Sequence, residues 1–213
     1  MTIKAVIWDF GGVLTTSPFE AFNRYETQNR IPTDFIRTVN STNPDSNAWA
    51  QFESNAINLR EFDSLFLAET SDHGYPIKGT DVVALLAGEI RPRMVSVLQK
   101  CKTTLVVACI TNNLQSGHGP SMAKSISHEK EMSEVMNLFD LVVESSKEGI
   151  RKPNPKIYEL TCERLGIYPN EAVFLDDLGI NLKPARKLGM QTIKVIDVET
   201  AILELTDATG IMF

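Results

Sequence analysis

Residues 3–12 read Ile3-Lys4-Ala5-Val6-Ile7-Trp8-Asp9-Phe10-Gly11-Gly12. The first six positions are mostly apolar, β-branched or aromatic, and Asp9 with the two glycines ends the run in a tight turn. This is the pattern of a short strand covered on both faces, with a carboxylate delivered at its tip. Similar runs occur at 104–110 before Thr111-Asn112-Asn113, at 138–145, at 172–175 before Asp176-Asp177, and at 191–196. Helical patterns lie between them. Residues 91–100 place Met94, Val95, Val97 and Leu98 on one face with Pro92 in the first turn, 155–165 stops at Gly166, and 181–188 stops at Gly189. Alternating strands and helices predict an α/β fold, a three-layer Rossmann-like parallel sheet whose chemistry collects at the carboxyl ends of the strands.

One stretch breaks the alternation. Residues 17–79 hold no convincing buried strand but carry helical patterns at 19–29, 33–39, 47–54 and 60–69, with Pro32, Pro44 and Asn55 between them. They predict a helical cap inserted after the first strand, leaving 1–16 and 80–213 as the core. The aromatic residues of the insert, Phe19, Phe22, Tyr25, Phe35, Trp49, Phe52, Phe62 and Phe66, read as the cap's own core, with one or two lining a pocket. The tail Thr209-Gly210-Ile211-Met212-Phe213 is apolar and reads as docked on the core or on a partner.

Composition narrows the function classes. With 213 residues, 43% hydrophobic and 23% charged, the chain is one globular domain or one domain with an insert. A net charge of −6 argues against wrapping nucleic acid by bulk charge. Three cysteines, Cys101, Cys109 and Cys162, form no metal spacing and no disulfide framework, which fits a reducing compartment. The apolar run Ala5-Val6-Ile7-Trp8 is too short for a signal peptide or a membrane span, so a cytoplasmic protein without membrane partners is expected. No Gly-x-Ser-x-Gly elbow, Walker A loop or Gly-x-Gly-x-x-Gly run is present. His118 and His128 stand ten apart, poor zinc spacing, and read as solvated.

Four clusters carry candidate chemistry. Asp9 at a strand tip suits a nucleophile or a metal ligand, although an Asp before glycines is also ordinary turn chemistry. Asp176-Asp177 places two carboxylates side by side, which is costly without a cation, and Mg²⁺ prefers one or two carboxylates with waters and phosphate oxygens. Thr111 and Asn112 offer neutral donors for phosphate, or else a helix cap. In Arg151-Lys152-Pro153-Asn154-Pro155 the prolines restrict where the Lys152 stem emerges, so that a fixed ammonium can hold phosphate and steady an attacking carboxylate, while Arg151 reads as a solvated cation.

In this order the clusters resemble the four motifs of the haloacid dehalogenase superfamily: Asp9-Phe10-Gly11-Gly12-Val13-Leu14-Thr15, Thr111-Asn112, Lys152-Pro153 and Asp176-Asp177. Two longer stretches, 151–158 and 174–186, look like the phosphatase domain of soluble epoxide hydrolase and its relatives, and the insert corresponds to that family's cap. The resemblance implies a Mg²⁺-dependent phosphatase acting on a small phosphorylated metabolite, as a monomer or homodimer. Asp9 would attack phosphorus to form an aspartyl-phosphate, and Lys152 would assist. Thr111, Asn112 and Lys152 would hold the phosphate. Mg²⁺ would be held by Asp9, the Gly11 carbonyl and one or both of Asp176 and Asp177.

One position departs from that pattern. Most phosphatases of the superfamily carry a second Asp, a general acid/base, two residues after the nucleophile, where this chain has Gly11. A positioned acid/base contributes typically about 10²–10⁴-fold. The departure leaves open a slower phosphatase, an acid recruited from the cap such as Glu20, Asp34 or His73, or a protein that binds a phosphorylated ligand without turnover. The acidic pair argues against the 2-haloacid dehalogenase branch, which uses the same nucleophile without a metal.

Overall fold

The computed structural model describes residues 2–113 and 126–213. Five strands, β1 (Ala5–Trp8), β2 (Val106–Thr111), β3 (Leu141–Glu144), β4 (Ala172–Asp176) and β5 (Gln191–Lys194), form one parallel sheet in the order β3-β2-β1-β4-β5. The central strand β1 pairs Trp8 with Cys109 on one side and with Leu175 on the other. Side chains alternate across the sheet, so each inner strand feeds two cores. Val6, Trp8, Val107, Cys109, Val173 and Leu175 join one cluster, whereas Ile7, Ala108, Ile110, Ala172 and Phe174 join the other. Burial on both faces is why these strands are nearly continuous apolar runs rather than alternating ones.

Helices α1 (Pro18–Gln28), α2 (Phe35–Ser41), α3 (Ala48–Glu53), α4 (Leu59–Asp72) and α5 (Gly79–Ala84) follow β1 and form the helical unit. Their boundaries are set by local chemistry. Asn47 caps α3 by accepting from the Ala50 N–H, and Asn58 and Glu61 form a reciprocal capping box at the start of α4. Phe22, Ile36, Phe52, Phe62 and Phe66 build a separate third cluster, which also takes in Val82 and Leu86 and so extends past residue 79. Its rings pack closely: Phe52 stacks on Phe62 with centroids 4.4 Å apart, and Trp49 meets Phe62 edge-on at 5.7 Å. The chain leaves and re-enters the sheet region along one seam, where Thr15 bridges Ile90 and the Thr16 N–H donates to the Glu89 carbonyl at 2.8 Å.

The remaining helices cover the sheet. The first cluster includes residues of α6 (Pro92–Lys102), α7 (Ile126–Met136) and α11 (Val198–Thr209), and the second includes residues of α9 (Pro155–Leu165) and α10 (Gly179–Leu188). A single-turn helix, α8 (Ser145–Glu148), leads from β3 toward the Lys152 loop. Phe213 packs against the first cluster, so the end of the tail docks on the chain's own core while Met212 faces outward. All three cysteines are buried and unpaired. Among the described residues no helix is long and apolar enough to cross a membrane.

Candidate active site

The sheet register gathers the chemistry at one edge. Asp9 directly follows β1 and donates its N–H to the Leu175 carbonyl at 2.8 Å, Thr111 ends β2, and Asp176 ends β4. Lys152 arrives from the β3 side on a loop whose Lys152–Pro153 bond is cis and which runs into α9, capped by Asn154 with Pro155 at its start. The Lys152 side chain is 1% exposed, and Nζ sits 2.7 Å from Asp9 Oδ1 and 2.8 Å from Asp176 Oδ2. Asn112 anchors this loop from both directions. Its Oδ1 accepts from the Lys152 N–H at 2.9 Å, and its Nδ2 donates to the Lys152 carbonyl at 3.0 Å. One N–H of the Asn112 amide is therefore engaged, and the other lies 3.4 Å from Glu53 Oε2.

Charge at this edge is unbalanced. Asp9, Asp176 and Asp177 each offer an oxygen within 4.8 Å of the others, with one ammonium among them. Burial raises the Asp9 carboxyl well above its ordinary range, and Asp176 and Asp177 push the same way, opposed by Lys152. Burial and the Asp176 charge lift Asp177 to about 6. Burial alone would lower the Lys152 ammonium, but Asp176 and Asp9 more than offset it and hold the pKa above the usual lysine value. Three close carboxylates against one fixed cation suit a hard divalent ion with oxygen ligands.

The adjacent carboxylates are not equivalent. Asp176 is fully buried and accepts from the Leu178 N–H, from Asn181 Nδ2 at both oxygens, and from Lys152. Asp177 lines the cavity and takes a longer hydrogen bond, 3.3 Å, from Ser17 Oγ. It lies flat against Gly12, where a Cβ would stand 2.2 Å from Asp177 Oδ2 and where φ is +79°. Gly12 is thus required twice, by its backbone and by its neighbour. Gly11 is different: nothing lies within 4 Å of a Cβ built there, so a side chain is sterically admitted.

Above the edge lies a cavity of about 810 Å³ between the sheet and the helical unit. Asp9, Gly11, Thr111, Asn112, Lys152 and Asp177 line its floor, and Asp176 lies beneath. Phe19, Phe22, Trp49 and Leu86 supply an apolar wall, and Asp34, Arg37, Thr38 and Ser41 a polar one. Of the three acids read as substitutes for Gly11, Asp34 reaches the lining, whereas Glu20 and His73 are exposed elsewhere. His118 falls outside the described residues, and His128 falls in α7.

Arg151 corrects a sequence expectation. It is not a free surface cation but pairs with Glu53, which is 8% exposed at the end of α3. Sequence reasoning missed Glu53, Ser17 and the second role of Gly12. Glu53 closes an unremarkable amphipathic stretch, and its meaning depends on a partner 98 residues away.

Comparisons with known proteins agree with this architecture. The chain matches the haloacid dehalogenase-like hydrolase family over residues 3–189. It is 36% identical to acyl-CoA dehydrogenase family member 10 of Mus musculus over 97% of this chain and 19% of that protein. It is 31% identical to bifunctional epoxide hydrolase 2 of Sus scrofa over 99% of this chain and 40% of that protein. The chain thus spans well under half the length of these two relatives. The sesquiterpene phosphatase astK of Aspergillus oryzae is 30% identical over 98% of both chains. Among solved structures, a haloacid dehalogenase family enzyme from Bacteroides thetaiotaomicron, in complex with magnesium and inorganic phosphate, shares the fold with TM-score 0.59 and 24% identity, covering 90% of this chain and 93% of that one.

Proposed function

This chain belongs to the haloacid dehalogenase-like hydrolases, and from that premise we propose that it is a Mg²⁺-dependent phosphatase acting on a small phosphomonoester through Asp9. The observation that carries the reading is the Asp9–Lys152–Asp176 cluster with Asp177 beside it at the cavity floor. A 2-haloacid dehalogenase needs a nucleophile but has no use for the uncompensated charge of the acidic pair.

The contacts support a role for each residue. Asp9 Oδ1 accepts from the Phe10 N–H at 2.7 Å and from Lys152 Nζ, which fixes the carboxylate plane and leaves Oδ2 to attack phosphorus. As Oδ2 bonds to phosphorus the ester P–O bond breaks, the departing alkoxide takes a proton from a cap acid or water and leaves as the alcohol, and water then cleaves the acyl phosphate to regenerate the carboxylate and release inorganic phosphate. Lys152 places positive charge where the phosphoryl oxygens gather, and Thr111 offers its hydroxyl from the end of β2. Asp9, the Gly11 carbonyl and Asp177 would hold the metal, with Asp176 either a further ligand or the buried anchor that keeps Lys152 in place. Bound there, Mg²⁺ supplies charge that offsets the repulsion between an anionic nucleophile and an anionic phosphate. Asp34 and Asp45 are the two cap aspartates on the lining, and both have the chemistry of the missing acid/base.

The cavity also limits the leaving group. Its volume exceeds what a phosphate needs, and the wall of Phe19, Phe22, Trp49 and Leu86 suits a hydrocarbon body. The astK relative, a sesquiterpene phosphatase by name, supports that preference. Phosphate release from an aryl phosphate, with and without Mg²⁺, in wild type and Asp9→Asn tests the reading. Activity that requires both Mg²⁺ and Asp9 is expected. Turnover that survives Asp9→Asn would remove Asp9 as the nucleophile. A wild type that binds phosphate without releasing it would instead make the protein a ligand binder.

A further inference from the structure

Glu53 is a buried carboxylate at the cavity wall that the proposed chemistry does not use. It belongs to the helical unit, yet its polar partners come from the sheet domain. The Arg151 guanidinium pairs with it, and Asn112 Nδ2 lies 3.4 Å from its Oε2. The same guanidinium donates from its other nitrogen to the Pro44 carbonyl at 2.5 Å, so one core side chain holds two points of the cap. Arg151 is the residue before Lys152, and Asn112 grips the Lys152 backbone from both sides. Two contacts therefore separate a cap carboxylate from the residue whose ammonium touches Asp9 and Asp176.

We propose that Glu53 is a positioning residue that couples closure of the cap to the placement of Lys152. The contact suits a reversible closure. In a largely buried ion pair, attraction and desolvation nearly cancel, so separating both partners into water costs little. Removing one partner is not symmetrical. A lone Arg151 in the closed form is a desolvated charge without a counter-ion, and the balance shifts toward the open form. The kinetic consequence rests on the phosphatase reading, whereas the structural one does not.

The chain contains two tryptophans, which makes closure measurable without turnover. Trp8 is fully buried in the sheet, and Trp49 lines the cavity beneath the cap. Acrylamide quenching of tryptophan fluorescence therefore reports on Trp49. The full chain would be compared as wild type, Glu53→Gln, Arg151→Met and the double variant, with circular dichroism confirming the fold. Both single variants should raise the quenching constant, and the double variant should exceed neither, since each breaks the same contact. With an aryl phosphate and Mg²⁺, kcat/KM should fall on the order of tenfold in each single variant, with a raised KM and a lowered kcat, again without addition in the double. Folded variants with unchanged quenching, or additive losses in the double, would overturn the coupling. Should Glu53→Gln not fold, Arg151→Lys, which keeps the charge but loses the fork that holds Glu53 and the Pro44 carbonyl together, reads the same contact and should give the same changes in smaller measure. If the protein proves not to be a phosphatase, the quenching result still decides whether Glu53 holds the cap.

Discussion

The carboxyl edge of the sheet buries charges, and the helical unit above it buries rings. At the edge, Lys152 and Asp176 are 1% and 0% exposed, and each is held by several directional contacts to partners of fixed chemistry. In the cap, Phe62 and Phe66 are equally inaccessible, but what holds them is the fit of one aromatic face to another. The two kinds of burial respond differently to change. A directional charge network fails when one member is lost, because the others are left desolvated. An aromatic core loses contact area and often tolerates a substitute of similar volume.

The largest effect should come from breaking the charge network at its centre. Lys152→Met leaves Asp9 and Asp176 without their cation, which should abolish measurable turnover and lower unfolding free energy by about 3–5 kcal/mol at neutral pH, read by denaturant titration. A folded variant of near wild-type stability would mean that the network is less rigid than its distances indicate.

Phe62→Ala tests the other region. It removes a ring that touches Phe52, Trp49 and Phe66 and should cost about 3–4 kcal/mol. The two regions separate in the second half of the experiment. Phe62→Leu should recover most of the stability and activity, whereas no apolar substitute should rescue Lys152. Equal failure of both Phe62 variants would erase the distinction between directional and shape-based burial.

Asp177→Asn sharpens the comparison because its predicted sign is opposite. A carboxyl raised to about 6 favours protonation in the folded state, so its contribution to stability is present below pH 4 and is lost as pH rises through 6. Metal-free Asp177→Asn should therefore exceed wild type by about 3 kcal/mol at pH 7.5, with the gap closing toward pH 4. Added Mg²⁺ should raise the melting temperature of the wild type and leave that of the variant nearly unchanged. A variant that is less stable than wild type without metal would contradict the charge imbalance at this edge.

Gly11→Asp should have the smallest and most selective effect. The space for a side chain exists, so the variant should fold, with its metal-free stability lowered by the added carboxylate and restored by Mg²⁺. If proton transfer to the leaving group limits turnover, kcat on an alkyl phosphate should rise roughly tenfold or more, with little gain on an aryl phosphate whose leaving group needs no acid. An equal gain on both, or none on either, would place the slow step elsewhere.

The same contrast explains what the sequence made legible. Each of the three inner strands, β1, β2 and β4, is a mostly apolar run closed by a polar tip, so Asp9, Thr111 and Asp176 were visible as strand ends and the parallel sheet followed. Lys152 was visible because Pro153 and Pro155 follow it. The four predicted cap helices lie near their observed places because Asn47, Asn58 and the intervening breakers are local signals. The Arg151–Glu53 pair was not legible, since neither residue differs from a surface charge until the cap is folded onto the sheet. Gly12 was readable as a turn residue, but not as the surface against which Asp177 lies. Pairings of low sequence specificity between distant segments carry no local mark, and they are what fix the cap over the site.

The most direct test of the central claim is to look for the covalent intermediate. Wild-type protein with Mg²⁺ and excess aryl phosphate would be quenched in acid during turnover, digested, and the peptide carrying Asp9 weighed. A fraction of that peptide should be heavier by one phosphoryl group, and the heavier form should be absent without Mg²⁺ and absent in Asp9→Asn. Turnover under the same conditions with the phosphoryl group on another residue, or a modified peptide that persists in Asp9→Asn, would contradict it.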